Sequence, residues 1–188
     1  KELNKIVISG GGTGGHIFPA LAIANEIKKR NRNVEILFVG AEGKMEMEKV
    51  PAAGYKIVGL PIVGLQRKLT LKNLVLPFKL LKSLSLAKNI LKDFKPEVVI
   101  GVGGYASGPG GLAAWLAGKP LIVHEQNAVA GTTNRLLARI ANKVLVAFPQ
   151  AFADRKDRLV VGNPVRAEVL AVSGQKQLQA PTQQLKVL

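Results

Sequence analysis

Short apolar stretches rich in β-branched residues recur along the chain, and longer stretches between them repeat apolar residues with a helical period. The first pattern predicts buried strands, and the second predicts helices that pack one face against a core. The predicted strands cover residues 5–9, 34–39, 56–60, 98–102, 121–124, 143–147 and 159–161. The predicted helices cover residues 17–29, 44–52, 71–92 with an interruption at Pro77, 109–116 and 132–140. This alternation predicts an α/β fold, a doubly wound parallel sheet that helices cover on both faces.

A glycine-rich stretch follows the first strand, where five glycines lie within residues 10–15 and His16 comes next. Glycine allows a tight turn and a close approach of a ligand to the main chain. The free N–H groups and positive dipole end of the following helix favour an anion, so the stretch predicts a phosphate or diphosphate site. The same dipole end favours a neutral imidazole at His16, which could accept a proton. An ordinary first-turn residue is the alternative for His16.

Two other interpretations of this stretch stay open. Gly10, Gly12 and Gly15 match the dinucleotide-binding pattern G-x-G-x-x-G. That site calls for an acidic residue at the end of the second strand, whereas the strand here ends at Gly40 and the next acid, Glu42, lies beyond another turn. A turn that merely packs a helix against a strand is the other possibility.

A second glycine-rich stretch covers residues 101–111, with six glycines in eleven positions, and again lies between a buried strand and a helix. Ligands of such sheets bind at the carboxyl ends of the strands, where both stretches fall. Two glycine loops at the same edge favour a phosphate cradle, to which Tyr105 and Ser107 could add hydroxyl donors. A packed aromatic ring is the alternative for Tyr105.

Polar residues at 124–127, His-Glu-Gln-Asn, directly follow another buried strand and belong to the same edge. Glu125 is a candidate base or hydroxyl ligand, and Asn127 is a candidate ligand for sugar hydroxyls. Capping and hydrogen bonding within the loop is the alternative for both.

A helical projection of residues 77–92 places Leu80, Leu84, Ala87 and Leu91 on one stripe, which we assign to the core. Phe78 and Leu81 lie off that stripe, on a side that also carries lysines. Exposed apolar residues surrounded by lysines are typical of a helix that lies in a membrane interface. A solvated helix face or a contact with another protein is the alternative.

Composition narrows the class of partner. The chain has 188 residues, enough for one domain, and a net charge of +15, which implies an anionic partner. Aromatic residues make up only 5% and no known nucleic-acid module is present, which argues against nucleic acid. The chain has no cysteine and two histidines, which argues against disulfides and a histidine metal site. No apolar run reaches membrane-spanning length, and no signal pattern is found.

The chain ends in a different composition. Residues 173–184 are polar and rich in glutamine, as in a linker, and residues 185–188 resemble the beginning of a new strand. We therefore expect residues 1–166 to form one domain. Residues 167–188 are expected to be a linker and the start of a truncated second domain, so that the chain is the N-terminal half of a longer protein.

Four motifs in this order resemble the MurG family of peptidoglycan glycosyltransferases over residues 4–170. They are residues 11–16 (Gly-Gly-Thr-Gly-Gly-His), residues 103–111, residues 124–127 and residues 162–166 (Gly-Asn-Pro-Val-Arg). The resemblance implies the Rossmann-like N-terminal domain of a GT-B glycosyltransferase. Such an enzyme transfers GlcNAc, with inversion, from UDP-GlcNAc to lipid I (undecaprenyl-diphosphoryl-MurNAc-pentapeptide) and forms lipid II. It also implies no cofactor and no essential metal ion.

The resemblance implies roles for individual residues. His16, Glu125 and Tyr105 would be the catalytic candidates. The loops for the acceptor diphosphate would include Gly12, Gly14, Gly15, Gly103, Gly104 and Ser107. UDP-GlcNAc would contact Thr13, Gly14, Gly15, Asn127 and Arg166. A membrane-docking patch would consist of Phe78, Leu81, Leu84, Trp115, Lys79 and Lys82.

The expected partners are therefore UDP-GlcNAc, lipid I, an anionic membrane surface and the missing C-terminal domain, without nucleic acid. The expected location is peripheral, on the cytoplasmic face of the inner membrane. Three alternatives stay open: a related GT-B enzyme with another lipid acceptor, a nucleotide-cofactor oxidoreductase domain, and a non-enzymatic basic module that binds nucleic acid or anionic lipid.

Overall fold

The computed structural model describes residues 3–64 and 75–165, and strands and helices alternate through these ranges. The strands are β1 (Lys5–Ser9), β2 (Glu35–Ala41), β3 (Lys56–Leu60), β4 (Val98–Gly101), β5 (Leu121–Glu125), β6 (Lys143–Val146) and β7 (Arg158–Val160). The helices are α1 (Gly14–Arg30), α2 (Glu46–Ala52), α3 (Leu76–Phe94), α4 (Ser107–Leu116) and α5 (Thr132–Ala138). The predicted elements are confirmed with ends shifted by a few residues. Residues 71–74 of the predicted third helix, and the predicted linker 167–188, lie outside the described residues.

All neighbouring strands of the sheet are parallel, in the order β3-β2-β1-β4-β5-β6-β7. The chain moves outward from β1 to β3, then crosses back and continues from β4 on the other side of β1. The strand order therefore reverses between β1 and β4, and ligands of doubly wound sheets bind at the carboxyl ends of the strands at such a switch point. The predicted doubly wound parallel sheet is confirmed.

Alternating side chains of the strands supply two cores, one on each face of the sheet. Ile6 and Ile8 of β1 pack in the cluster that contains α1 and the Val50 side chain of α2. Val7, between them, packs in the cluster on the opposite face, which contains residues of α3, α4 and α5. Each strand near the switch point is thus buried on both sides, which fixes the position of the loops at its carboxyl end.

Helix α3 begins at Leu76, so Pro77 lies in its first turn, where a backbone N–H would have no intrahelical acceptor. The prediction that Pro77 interrupts the helix is therefore wrong. Ala87 and Leu91 are buried as expected, and Leu84 is half-buried against the same core. Leu80 is 43% exposed, so the prediction that it lies in the core is wrong. A helical projection gives the direction of a side chain around the helix axis, but it does not show how far along the axis the core extends. The first turns of α3 lie beyond the described core, so Leu80 stays exposed although it shares the stripe of Ala87 and Leu91.

Candidate functional site

The two glycine-rich loops meet at the switch point, because one follows β1 and the other follows β4, its neighbour in the sheet. The N–H of Gly11 donates a hydrogen bond of 3.3 Å to the carbonyl oxygen of Gly103. Gly104 has φ +75°, and a Cβ there would overlap the carbonyl oxygen of Gly11. Glycine is therefore required where the two main chains come into contact. The predicted convergence of both loops at one edge is confirmed.

A buried carboxylate, which the sequence did not reveal, supports the first loop through a hydrogen bond to its main chain. Glu46 of α2 is fully buried, and its Oε1 accepts hydrogen bonds from the N–H groups of Gly12 at 2.9 Å and Ala41 at 3.0 Å. A Cβ at Gly12 would lie 2.7 Å from Cε1 of Tyr105, so Tyr105 confines the loop from the other side. The loop is thus held between a carboxylate and an aromatic ring.

Helix α1 starts inside the first loop, earlier than the sequence predicted. Thr13 is its N-cap residue with extended φ and ψ, and its carbonyl oxygen accepts from the N–H groups of His16 and Ile17. Gly14 and Gly15 therefore belong to the first turn, in which backbone N–H groups have no intrahelical acceptor. Thr13 and Gly15 are exposed. The helix N-terminus thus presents N–H donors at the same edge as the second loop.

His16, in the first turn of α1, is half-buried beside the second loop. A Cβ at Gly103 would lie 2.9 Å from both Cε1 and Nδ1 of the imidazole, so the ring fits only because residue 103 is glycine. Its Nδ1 lies 3.1 Å from Oε1 of Gln126. Within the described residues, Nε2 of the ring has no hydrogen-bond partner. The predicted base therefore lies between the two glycine loops with one nitrogen engaged.

Gln126 and His124 extend this contact into the core, although the sequence suggested a role for neither. Nε2 of Gln126 donates to the carbonyl oxygen of Val102 at 2.8 Å and faces Nδ1 of His124 at 3.1 Å. The other nitrogen of His124 lies 3.2 Å from the carbonyl oxygen of Gly162. Burial lowers the pKa of His124, and the Gly162 bond and the Glu125 charge oppose that shift only partly. Period-two alternation along β5 could have identified the pair, because His124 and Gln126 share the face of Ile122, which packs towards α1.

Glu125 projects to the opposite face and is 1% exposed. Its Oε1 accepts from the backbone and side-chain nitrogens of Asn127, at 2.9 and 3.0 Å. Its Oε2 accepts from the N–H of Gly131 at 3.1 Å and from Nδ2 of the buried Asn134 at 2.9 Å. Both oxygens are thus used to fix the loop after β5. This arrangement agrees with the loop-capping alternative and leaves no oxygen free for a substrate proton.

The remaining predicted site residues divide between the open edge and the interior. Asn127 is exposed beside the loop that Glu125 holds. Tyr105 is half-buried against the core of α3, α4 and α5, and burial together with the Glu46 charge raises its pKa. Ser107 is fully buried and its hydroxyl donates to the carbonyl oxygen of Gly104 at 2.8 Å, so it closes the turn. The prediction that this hydroxyl is a donor at the edge of the sheet is therefore wrong. Arg166 lies outside the described residues.

An apolar surface lies on α3 and α4, which pack against each other. Phe78 is 73% exposed, Leu81 64% and Trp115 51%, so these members of the predicted patch are accessible. Lys82 is exposed and Lys79 half-exposed on the same helix, whereas Leu84 is turned partly into the core. None of the helices within residues 3–64 and 75–165 has the length and apolar character needed to cross a membrane.

Comparison with known protein families gives a match over most of this sheet. Residues 6–146 match the glycosyltransferase family 28 N-terminal domain.

Curated relatives with high identity carry one name, UDP-N-acetylglucosamine--N-acetylmuramyl-(pentapeptide) pyrophosphoryl-undecaprenol N-acetylglucosamine transferase. The chain is 56% identical over 168 residues to the protein of that name from Phocaeicola vulgatus, a match that covers 88% of this chain and 45% of the relative. It is 55% identical over 170 residues to that from Colwellia psychrerythraea, covering 90% and 43%. The chain therefore spans about half the length of the curated relatives it matches.

Solved structures give the same picture. The chain is similar to Acinetobacter baumannii MurG with a TM-score of 0.75 and 34% identity, covering 95% of this chain and 50% of that one. A co-structure of Staphylococcus aureus MnaA with UDP matches with a TM-score of 0.62 at 17% identity, covering 86% and 44%. The second likeness shows a shared fold alone.

Proposed function

Because the chain belongs to the glycosyltransferase family 28 N-terminal domain family, we propose that it is the acceptor-binding half of a glycosyltransferase of peptidoglycan synthesis. The whole protein would transfer GlcNAc from UDP-GlcNAc to lipid I. Its curated relatives carry the name of this reaction at 50–56% identity. The observation that carries the proposal is the meeting of two glycine loops at the switch point, with His16 between them.

The acceptor diphosphate would bind where the glycine loops and the N-terminus of α1 come together. Main-chain N–H groups at a helix N-terminus bind phosphate oxygens well, and the helix dipole adds a positive potential. Gly12, Gly14 and Gly15 would contribute from the first loop, and Gly103 and Gly104 from the second. The net charge of +15 favours the same anionic ligand.

His16 would act as the general base. Nε2 would take the proton from the 4-hydroxyl of MurNAc while that oxygen attacks the anomeric carbon of GlcNAc. The bond from this carbon to the UDP phosphate oxygen breaks, and UDP leaves with the electron pair, so the anomeric configuration inverts. Glu125 is the weaker candidate, since both its oxygens already accept hydrogen bonds. Tyr105, whose pKa is raised, keeps its phenol proton and would serve as a hydrogen-bond donor near the site.

UDP-GlcNAc would be bound mostly by the C-terminal half that the relatives possess. The present chain would contribute Thr13, Gly14, Gly15, Asn127 and Arg166 to the binding of UDP-GlcNAc.

The apolar surface on α3 and α4 would place this half on an anionic membrane, at its cytoplasmic face. Phe78, Leu81 and Trp115 would enter the interface, and Lys79 and Lys82 would contact lipid phosphates. Replacing Phe78 and Leu81 by Ser should weaken vesicle binding several-fold. Leu159→Ser is the matched control, because Leu159 is 51% exposed on the edge strand β7. Equal binding of all variants would contradict this docking surface.

The test of the reaction uses the full-length protein, UDP-GlcNAc and lipid I in vesicles. The expected product is lipid II, with the new glycosidic bond inverted relative to the donor when its configuration is read by NMR. Transfer to another polyprenyl-diphosphate acceptor and not to lipid I would instead support a related GT-B enzyme. Tight binding of NAD or FAD without transfer would contradict the proposal and support a cofactor domain.

A further inference from the structure

We propose that Gln126 is a positioning residue that fixes the neutral tautomer of His16, with the hydrogen on Nδ1 and the lone pair on Nε2. The inference deepens the proposed function, because it rests on His16 as the base. Three side chains are in contact here, those of His124 and Gln126 at the carboxyl end of β5 and that of His16 in the first turn of α1.

The orientation of the Gln126 amide follows from its neighbours. Two main-chain carbonyl oxygens, those of Val102 at 2.8 Å and His124 at 3.3 Å, lie beside one end of the amide. A carbonyl oxygen only accepts hydrogen bonds, so this end must be the NH₂ group. The amide oxygen then faces His16, with 3.1 Å between Oε1 and Nδ1.

The tautomer of His16 follows from that orientation. An amide oxygen only accepts, so Nδ1 of His16 must carry the hydrogen, and in the neutral ring Nε2 is left with the lone pair. Which nitrogen of a histidine is protonated is set by the hydrogen bond that the other nitrogen makes. A general base needs its lone pair on the nitrogen that faces the substrate, and Nε2 is the nitrogen without a partner among the described residues. Gln126 would therefore contribute to turnover without touching the substrate.

His124 holds Gln126 in this orientation from the other side. Nε2 of His124 faces the carbonyl oxygen of Gly162 at 3.2 Å, so it carries the hydrogen. Its Nδ1 then has a lone pair, which accepts from the Gln126 amide at 3.1 Å. If the amide were reversed, its oxygen would face this lone pair and two carbonyl oxygens, with no hydrogen between them. The two histidines of the chain are thus predicted to be opposite tautomers.

The test is ¹⁵N NMR of the chain labelled at histidine, which has only two imidazole rings to assign. Two-bond couplings between the ring nitrogens and the hydrogens bonded to the ring carbons distinguish the tautomers. At a pH where both rings are neutral, His16 should carry its hydrogen on Nδ1 and His124 on Nε2. Finding the His16 hydrogen mainly on Nε2 in the unmodified chain would overturn the proposal without any variant.

Two substitutions test the contact. Gln126→Leu removes both the acceptor for Nδ1 of His16 and the donor to Nδ1 of His124, and it should release His16 into a mixture of tautomers. Asn163→Ala is the control, because the Asn163 side chain donates to the main-chain oxygen of Gln126, at 3.1 Å, and not to its amide. A His16 tautomer unchanged in a folded Gln126→Leu chain would also overturn the proposal.

Kinetics of the full-length protein distinguish this inference from the proposed function. Gln126→Leu should lower kcat by less than the about 10²–10⁴-fold that removal of a general base costs. The KM values of both substrates should stay near the parent values. A change confined to KM would contradict a positioning role. If His16→Ala retained full turnover, the base assignment would fail, while the NMR result would still decide whether Gln126 sets the tautomer.

Discussion

His16 and Glu125 lie on opposite faces of the sheet at the end of β5, and their surroundings differ in kind. His16 contacts Gln126 through one nitrogen and is half-buried beside a glycine loop. Glu125 is 1% exposed and accepts four hydrogen bonds, from Asn127, Gly131 and Asn134. Both are titratable groups at the same edge of the sheet, but only His16 has an atom left for a substrate.

The difference shows that the presence of a titratable side chain in a site does not by itself make that side chain catalytic. A general base must have a free lone pair within reach of the proton it takes. A carboxylate whose oxygens are all used by backbone and amide donors instead fixes the loop that carries those donors. The following predictions test this division of roles, beginning with the largest effect.

The largest expected difference is between the transfer rates of His16→Ala and Glu125→Gln. In the full-length protein, His16→Ala is expected to lower turnover by about 10²–10⁴-fold, because the general base is lost. Glu125→Gln keeps one oxygen acceptor in the loop and should cost much less. Steady-state transfer to lipid I measures both, and the reverse order of effects would make Glu125 the base.

The stability of the same two positions should show the opposite order. Glu125→Ala removes one of the two acceptors of the buried Asn134 amide, whose nitrogen also donates to the His124 carbonyl oxygen, and a buried donor hydrogen left without a partner costs about 1–3 kcal/mol. His16→Ala removes one half-buried contact and should change the free energy of unfolding less. Urea denaturation of both variants measures the difference, and equal stabilities would contradict a structural role for Glu125.

Substitution of Gly103, the glycine beside His16, should have a smaller effect, which acts through His16 and not through Glu125. Gly103 has φ +94°, and its missing Cβ leaves room for the imidazole at 2.9 Å. Gly103→Ala should displace the ring and place an L-residue in a left-handed conformation, at a cost of about 1–2 kcal/mol. The transfer rate and the unfolding free energy should both fall, with Gly108→Ala as the control, since its Cβ would meet Thr133 only at an ordinary 3.5 Å.

The smallest effect is a dependence of stability on pH through His124. Burial lowers its pKa below the ordinary 6.5, so the unfolded chain takes up a proton first as the pH falls. The contribution of His124 to stability is therefore complete above about pH 6.5 and declines below it. Urea midpoints at pH 7.5 and 5.5 should differ more for the parent chain than for His124→Gln. The same difference in both would contradict a buried neutral His124.

Periodicity and glycine clusters predicted the sheet and the edge at which the loops meet, because both follow from local sequence. The apolar runs at residues 5–9 and 56–60 coincide with β1 and β3. The roles of Glu46 and Gln126 could not be predicted, because each depends on a contact with a distant segment. Gly12 is 34 residues from Glu46, and His16 is 110 from Gln126. The prediction for Ser107 was wrong for a different reason, since its partner Gly104 is only three residues away, but the sequence does not show that the hydroxyl turns inward to it.

The central claim, that this half binds the acceptor diphosphate at the two glycine loops, is tested most directly by vesicle binding of the chain at two salt concentrations. One set of vesicles contains a polyprenyl diphosphate, and the other contains an anionic phospholipid at equal surface charge. We expect a preference for the diphosphate lipid that persists at high salt, is lost in Gly104→Ala and is retained in Gly108→Ala. Equal, salt-sensitive binding to both sets of vesicles would contradict the claim and leave only a basic surface.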